Sequence, residues 1–160
     1  MINRILLYNS GGGIGDALQI LPLINILKSE FKKAKFYYLP AHENHFNSTL
    51  KEFNNRIETL ELGIKYFGFR LWHFLIIKRV IRKKAIEKFD LIIDLQSKIR
   101  NTLILKQIPH KYFLSSCFNF KFSEPVLNIK KGNKIDNTIL QAINIVLSKN
   151  IKLTDFNLNN

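Results

Sequence analysis

Arg4-Ile5-Leu6-Leu7-Tyr8-Asn9-Ser10-Gly11-Gly12-Gly13-Ile14-Gly15-Asp16 is the stretch that decides the fold. Ile5 to Tyr8 is a short, unbroken apolar run that stops at turn-forming residues, the pattern of a strand buried on both faces. The glycines remove Cβ bulk where the chain reverses, and a helical stretch over 16–33 follows them. Strand, glycine turn and helix form the first half of a parallel crossover. The rest of the chain repeats that alternation. Strands are expected at Arg4–Tyr8, Lys35–Leu39, Arg56–Leu60, Leu91–Leu95 and Lys111–Leu114, with helices near 16–33, 42–54, 66–89, 97–107 and 135–149. Such alternation predicts an α/β domain, a parallel sheet with helices on both faces.

The chain has 160 residues, 46% hydrophobic and 23% charged, which suits one folded domain and excludes a disordered chain. Its 25 Lys and Arg outweigh 12 Asp and Glu, a formal net charge of +13 that favours anionic partners. The excess is concentrated: residues 65–88 hold eight cations against Glu87 alone, and residues 98–134 hold eight against Glu124 alone. Cys117 is the single cysteine, so there is no intramolecular disulfide and no CxxC redox motif, as expected of a reducing compartment. The first residues lack a signal-peptide core. The most apolar later stretch, Leu71–Ile77, is interrupted by His73 and flanked by cations. A cytoplasmic protein is expected, with a peripheral seat on the anionic inner face of the cytoplasmic membrane compatible with its charge.

In open parallel sheets ligands bind beyond the carboxyl ends of the strands. Two turns there carry chemistry, Asn9–Asp16 and Asp94-Leu95-Gln96-Ser97-Lys98. The first has neither the G-x-G-x-x-G spacing, which would need a small residue at Leu18, nor a P-loop. It reads either as a ligand cradle or as a tight turn without a ligand. Asp16 likewise has two readings: a general base facing the ligand edge, or a helix cap in Asp16-Ala17-Leu18-Gln19 with Gln19 reaching back.

Within 66–89, Leu71, Phe74, Ile77, Ile81 and Ala85 form an expected buried stripe, leaving Arg79, Arg82 and Lys83 on the other side as anion contacts or a solvated face. Phe67, Phe69, Trp72 and Phe74 are expected in the core. His42-Glu43-Asn44-His45 lacks metal-ligand spacing, and Ser10 and Ser97 have no catalytic partners in sequence. Neither a metal nor another cofactor is expected, and Cys117 reads as a small apolar residue.

Ile5-Leu6-Leu7-Tyr8 followed by Gly15-Asp16 and Leu21-Pro22-Leu23 resembles the opening of glycosyltransferase family 9, the ADP-heptose:lipopolysaccharide heptosyltransferases. Lys88-Phe89-Asp90-Leu91-Ile92-Ile93-Asp94-Leu95-Gln96, with Lys98 and Arg100 beyond it, is similar to that family's strand ending in Asp-x-Gln. This chain has three consecutive glycines where the family has a Ser/Thr-containing turn, and Ser97 where a glycine follows Asp-x-Gln.

The resemblance implies a Rossmann-like domain, residues 1–150, equivalent to the N-terminal, acceptor-side half of a GT-B glycosyltransferase. Residues 151–160 would begin an interdomain connection, and the C-terminal donor-binding domain would be absent from this chain. It further implies Asp16 as catalytic base for inverting, metal-independent transfer. Ser10, Gly11, Gly12, Gly13, Gly15, Gln96, Lys98 and Arg100 would contact an anionic lipopolysaccharide-type acceptor. A nucleotide sugar would bind only with a second domain, whether on this chain or on a separate C-terminal one. The alternatives are a noncatalytic basic module binding anions or RNA, for which no nucleic-acid motif is present, and a Rossmann-type nucleotide-dependent enzyme with only Glu43 as a ribose-binding acid.

Overall fold

The computed structural model describes residues 1–11, 13–40, 43–53, 57–130 and 135–152. Five strands, β1 (Arg4–Asn9), β2 (Lys35–Pro40), β3 (Ile57–Thr59), β4 (Phe89–Asp94) and β5 (His110–Ser115), form one parallel sheet in the order β3-β2-β1-β4-β5. Each expected strand is present, within two residues of its expected ends where those ends are described; Arg56 lies outside the described residues. Among the described residues four α-helices accompany them: α1 (Ile14–Glu30), α2 (His73–Lys83), α3 (Ile99–Leu105) and α4 (Ile135–Leu147).

The central strand explains the layering. Successive side chains of β1 point to opposite faces. Ile5 and Leu7 pack with α1 and α4, whereas Leu6 and Tyr8 pack with Ile77 of α2 and Ile104 and Leu105 of α3. Both faces are therefore apolar, and the sequence of β1 runs without alternation for that reason.

Three helical expectations change. No α-helix spans the described part of 42–54, of which His42 and Asn54 lie outside; the chain makes 3₁₀ turns at His45–Asn47 and Lys51–Phe53. Asn44 accepts the Phe46 N–H at 3.0 Å and donates to Thr59 Oγ1 at 2.8 Å, a local alternative to helical bonding that ties the segment to β3. The helix expected over 66–89 is only α2, because Tyr66 (φ 53) and Gly68 (φ 85) take left-handed backbone before it and Ala85 (φ 48) after it. α1 starts two residues earlier than expected, at Ile14 with Gly13 as its N-cap.

The buried stripe is corrected as well. Ile77 is buried, but Leu71 and Phe74 are exposed, as is Ala85 beyond the helix end. Of the four aromatics expected in the core only Phe67 is fully buried; Phe69, Trp72 and Phe74 are exposed. Phe67, Phe69 and Trp72 precede α2, where no helical period sets their faces, and Phe74 sits inside α2 one step off the buried His73–Ile77 line.

Candidate functional site

The ends of β1 and β4 meet beyond the sheet. Tyr8 pairs with Asp94, and the Leu95 N–H continues the ladder to the Tyr8 carbonyl at 3.0 Å, so the next residues, Asn9 and Gln96, come side by side. Asn9 is nearly buried and spends its side chain on three bonds. Its Oδ1 accepts the Gly11 N–H at 2.9 Å and Gln96 Nε2 at 2.7 Å, and its Nδ2 donates to the Asp16 carbonyl at 3.4 Å. One amide thus joins the glycine turn, the start of α1 and the β4 turn.

Asp16 is the third residue of α1, and its Oδ2 accepts the Gly13 N–H at 3.3 Å. This is half of a capping box with Asp16 in the reaching-back position, not the N-cap expected from Asp16-Ala17-Leu18-Gln19. Gly13 is the N-cap and has no side chain to mark it. Gln19, freed of any capping role, lines a pocket of about 240 Å³ with Asn9, Asp16, Ile20, Leu95, Gln96 and Ser97. Gly11 is required for this arrangement: a Cβ there would lie 2.3 Å from Asp16 Cγ.

Asp94 looks outwardly like a second site carboxylate but is wholly buried. Its Oδ2 accepts from Thr102 Oγ1 at 2.6 Å and Ser115 Oγ at 2.8 Å, and its Oδ1 from the Gln96 N–H at 2.9 Å. Burial raises its pKa from 3.8 to about 6, against the pull of these hydrogen bonds. It fastens β4, α3 and β5 together and fixes the turn that aims Gln96 at Asn9.

The other candidates are placed elsewhere. Ser10 is nearly buried beside the Tyr8 phenol, whose pKa burial raises. Gly13 and Gly15 are exposed at the start of α1, and Gly12 lies outside the described residues. Lys98 begins α3 with its Nζ 5.8 Å from the Phe69 ring centroid. Arg100 donates from Nε to the Gly68 carbonyl at 2.7 Å, bracing the 65–72 segment. Arg79, Arg82 and Lys83 are exposed on α2 and do not line the pocket. The structure therefore gathers Asp16, Gln96 and the glycine turn, adds Asn9, Gln19 and Ser97, and puts Lys98 and Arg100 to work on the neighbouring loop. Asn9 carried a sequence signal only as an amide at a strand end; its partner lies 87 residues away.

No protein-family model matches this sequence, and no curated protein does. Solved structures do match in shape. Escherichia coli heptosyltransferase WaaC with ADP-2-deoxy-2-fluoro heptose superposes with a TM-score of 0.65 at 15% identity, over 95% of this chain and 50% of that one. The fold is that of the N-terminal half of these glycosyltransferases. The same enzyme with ADP gives 0.63 at 14% identity, over 95% and 49% of the two chains. The family 9 glycosyltransferase of Veillonella parvula DSM 2008 gives 0.62 at 18%, over 96% and 42%. The chain thus spans about half the length of the structures it matches. Within this half-fold, the Asp16 pocket lies at the carboxyl edge of the sheet beside its central strand. Among the described residues no helix is long and apolar enough to cross a membrane, and no group of three or more His, Cys, Asp or Glu side chains is gathered to hold a metal.

Proposed function

We propose that this chain is the acceptor-side half of a family 9-like glycosyltransferase, which moves a heptose-type sugar from an ADP-linked donor to an anionic, lipopolysaccharide-type acceptor. The observation that carries this reading is the placement of Asp16, a half-exposed carboxylate lining a small polar pocket with Gln96 and braced by the glycine turn. In the proposed step the Asp16 carboxylate takes the proton of an acceptor hydroxyl. That oxygen bonds to the anomeric carbon, and the bond from this carbon to the phosphate oxygen breaks, ADP leaving with the electron pair. Attack from the face opposite the leaving group inverts the centre. Gln96, itself held by Asn9, offers polar contact to the acceptor, and the basic segments 65–88 and 98–134 suit its phosphates and carboxylates. The donor contacts belong to a second half, on this chain or another, and no metal takes part.

The test is Asp16→Asn in an enzyme that carries both halves. A positioned general base contributes about 10²–10⁴-fold, so turnover should fall by that order while acceptor binding changes little. Near-normal turnover would remove Asp16 from the reaction.

A further inference from the structure

We infer that the solvent side of α2 and the turn before it dock on an anionic lipid bilayer, with Leu71, Trp72 and Leu75 entering the headgroup layer and Lys78, Arg79 and Arg82 lying on its phosphates. The surface follows from helical spacing. His73 and Ile77 are buried against the sheet, and the opposite side carries Leu75, Lys78, Arg79 and Arg82, with Leu71 one turn earlier. Leu71 is 76% exposed, Leu75 78% and Trp72 49%, three adjoining large apolar residues that folding leaves in water. Isolated exposed apolar residues are ordinary; a contiguous group of them marks an interaction surface.

The same surface is held rigid from below. The Tyr8 hydroxyl donates to the Phe67 carbonyl at 3.1 Å, His73 Nδ1 accepts the Gly68 N–H at 3.1 Å, and Arg100 holds the Gly68 carbonyl. The turn therefore cannot fold its apolar side chains inward, where Phe67 already fills the space.

Charge selects the occupant. Lys78, Arg79 and Arg82 have no acidic partner among the described residues, and the segment 65–88 holds eight cations against one acid. Apolar residues at one end of a surface and long cations at the other match the depth profile of a monolayer, where apolar groups enter the acyl boundary and cations reach phosphates. Trp favours that boundary. Phe69, two residues before Leu71, meets Lys98, whose neighbour Ser97 lines the cavity. The docking surface stands independently of the transferase reading, because its observations are exposure and charge rather than Asp16.

Trp72 is the single tryptophan, so its emission reports on this surface alone. The full chain is mixed with phosphatidylcholine vesicles with and without phosphatidylglycerol, and binding is read by flotation and by quenching of Trp72 with bromine-labelled lipid. Blue-shifted, quenched emission is expected on anionic vesicles. Leu71→Ser and Leu75→Ser, both changes at exposed sites, should each weaken partitioning about tenfold. Arg79→Gln and Arg82→Gln should each weaken it about fivefold on anionic vesicles and leave neutral ones unaffected. Flotation with Trp72 unshifted and unquenched would place binding on another face and overturn the inference. So would full-strength binding by the leucine variants, or a self-association lost in Leu75→Ser without vesicle uptake, which would assign the surface to a protein contact. None of these readouts involves sugar transfer, so a failure of the Asp16 assignment leaves them unchanged.

Discussion

Replacing Asp94 with asparagine should change how stability depends on pH, in a direction fixed by burial. The carboxyl is fully buried and its pKa stands at about 6 rather than 3.8, so the folded state holds a proton that the unfolded chain has released. Where the folded state binds more protons, stability falls as pH rises. The loss starts near the unfolded pKa, continues to the folded one and levels off above it. Two pKa units correspond to about 3 kcal/mol. Some 2 kcal/mol of that falls between about pH 4.5 and about pH 7.5. The substituted amide has no proton to exchange and keeps a carbonyl for the Gln96 N–H, while the Thr102 hydroxyl, freed from donating to Oδ2, retains the Lys98 carbonyl at 3.2 Å. Glu124, whose pKa Lys106 and His110 lower, contributes the opposite slope at more acid pH, but equally in both proteins. Urea unfolding of both across this range, followed by far-UV circular dichroism, isolates the difference. Relative to the native chain, Asp94→Asn should gain about 2 kcal/mol from the acid end to the neutral end. A flat difference, or one moving the other way, would show that the three hydrogen bonds outweigh desolvation and would refute the reasoning.

Two glycines give further tests. Gly11→Ala places a Cβ 2.3 Å from Asp16 Cγ, so the carboxylate must leave the Gly13 N–H; unfolding free energy should drop by about 1–3 kcal/mol and the Gly13 amide should exchange faster with solvent. An unchanged melt with an unchanged Gly13 amide would mean that the turn has room to spare. Gly68→Ala combines a positive φ of 85 with a Cβ 2.8 Å from both Asn101 Cγ and the Tyr8 hydroxyl, and should cost about 3 kcal/mol in denaturant titration. A loss below about 0.5 kcal/mol would show that the 65–72 segment is not clamped as described.

The sheet was legible because its strands are buried on both faces, so Ile5–Tyr8 and Leu91–Ile93 stand out as apolar runs. The place of the glycine turn and Asp16 at the carboxyl edge was legible for a related reason: they directly follow the apolar run of the central strand. The cap was misplaced because an N-cap is recognised by its side chain, and Gly13 has none. Asn9 was missed because its task depends on the register between β1 and β4, a property of two strands rather than one. The 66–89 segment misled most. Its helical period is real from His73 to Lys83, but the buried line runs through His73 and Ile77 rather than Leu71 and Phe74, and left-handed Tyr66, Gly68 and Ala85 end the helix on both sides. Apolar residues counted into one buried stripe were then divided between core and solvent. The upstream break is set by distant partners, Tyr8, Arg100 and Asn101, that no local pattern contains.

Two carboxylates stand near the ligand edge of the sheet, and a raised pKa taken alone would point to Asp94 as the base. Burial lifts Asp94 to about 6, toward the value suited to proton transfer near neutral pH. Yet a base must first reach the proton it removes. Asp94 is 0% exposed, lies outside the pocket lining, and directs its bonds to Thr102, Ser115 and the Gln96 N–H inside the fold. Asp16 lines the pocket and, among the described residues, its carboxylate accepts one backbone bond, of 3.3 Å, which leaves lone pairs for the hydroxyl that the proposed step requires. The Asp94-x-Gln96 pattern therefore divides its labour: the aspartate is a strut whose burial raises its pKa as a side effect, and the glutamine is the part that lines the pocket. On this division Asp94→Asn should leave the pocket in place, whereas Gly11→Ala, which touches neither β4 nor the strut, should disturb it through Asp16.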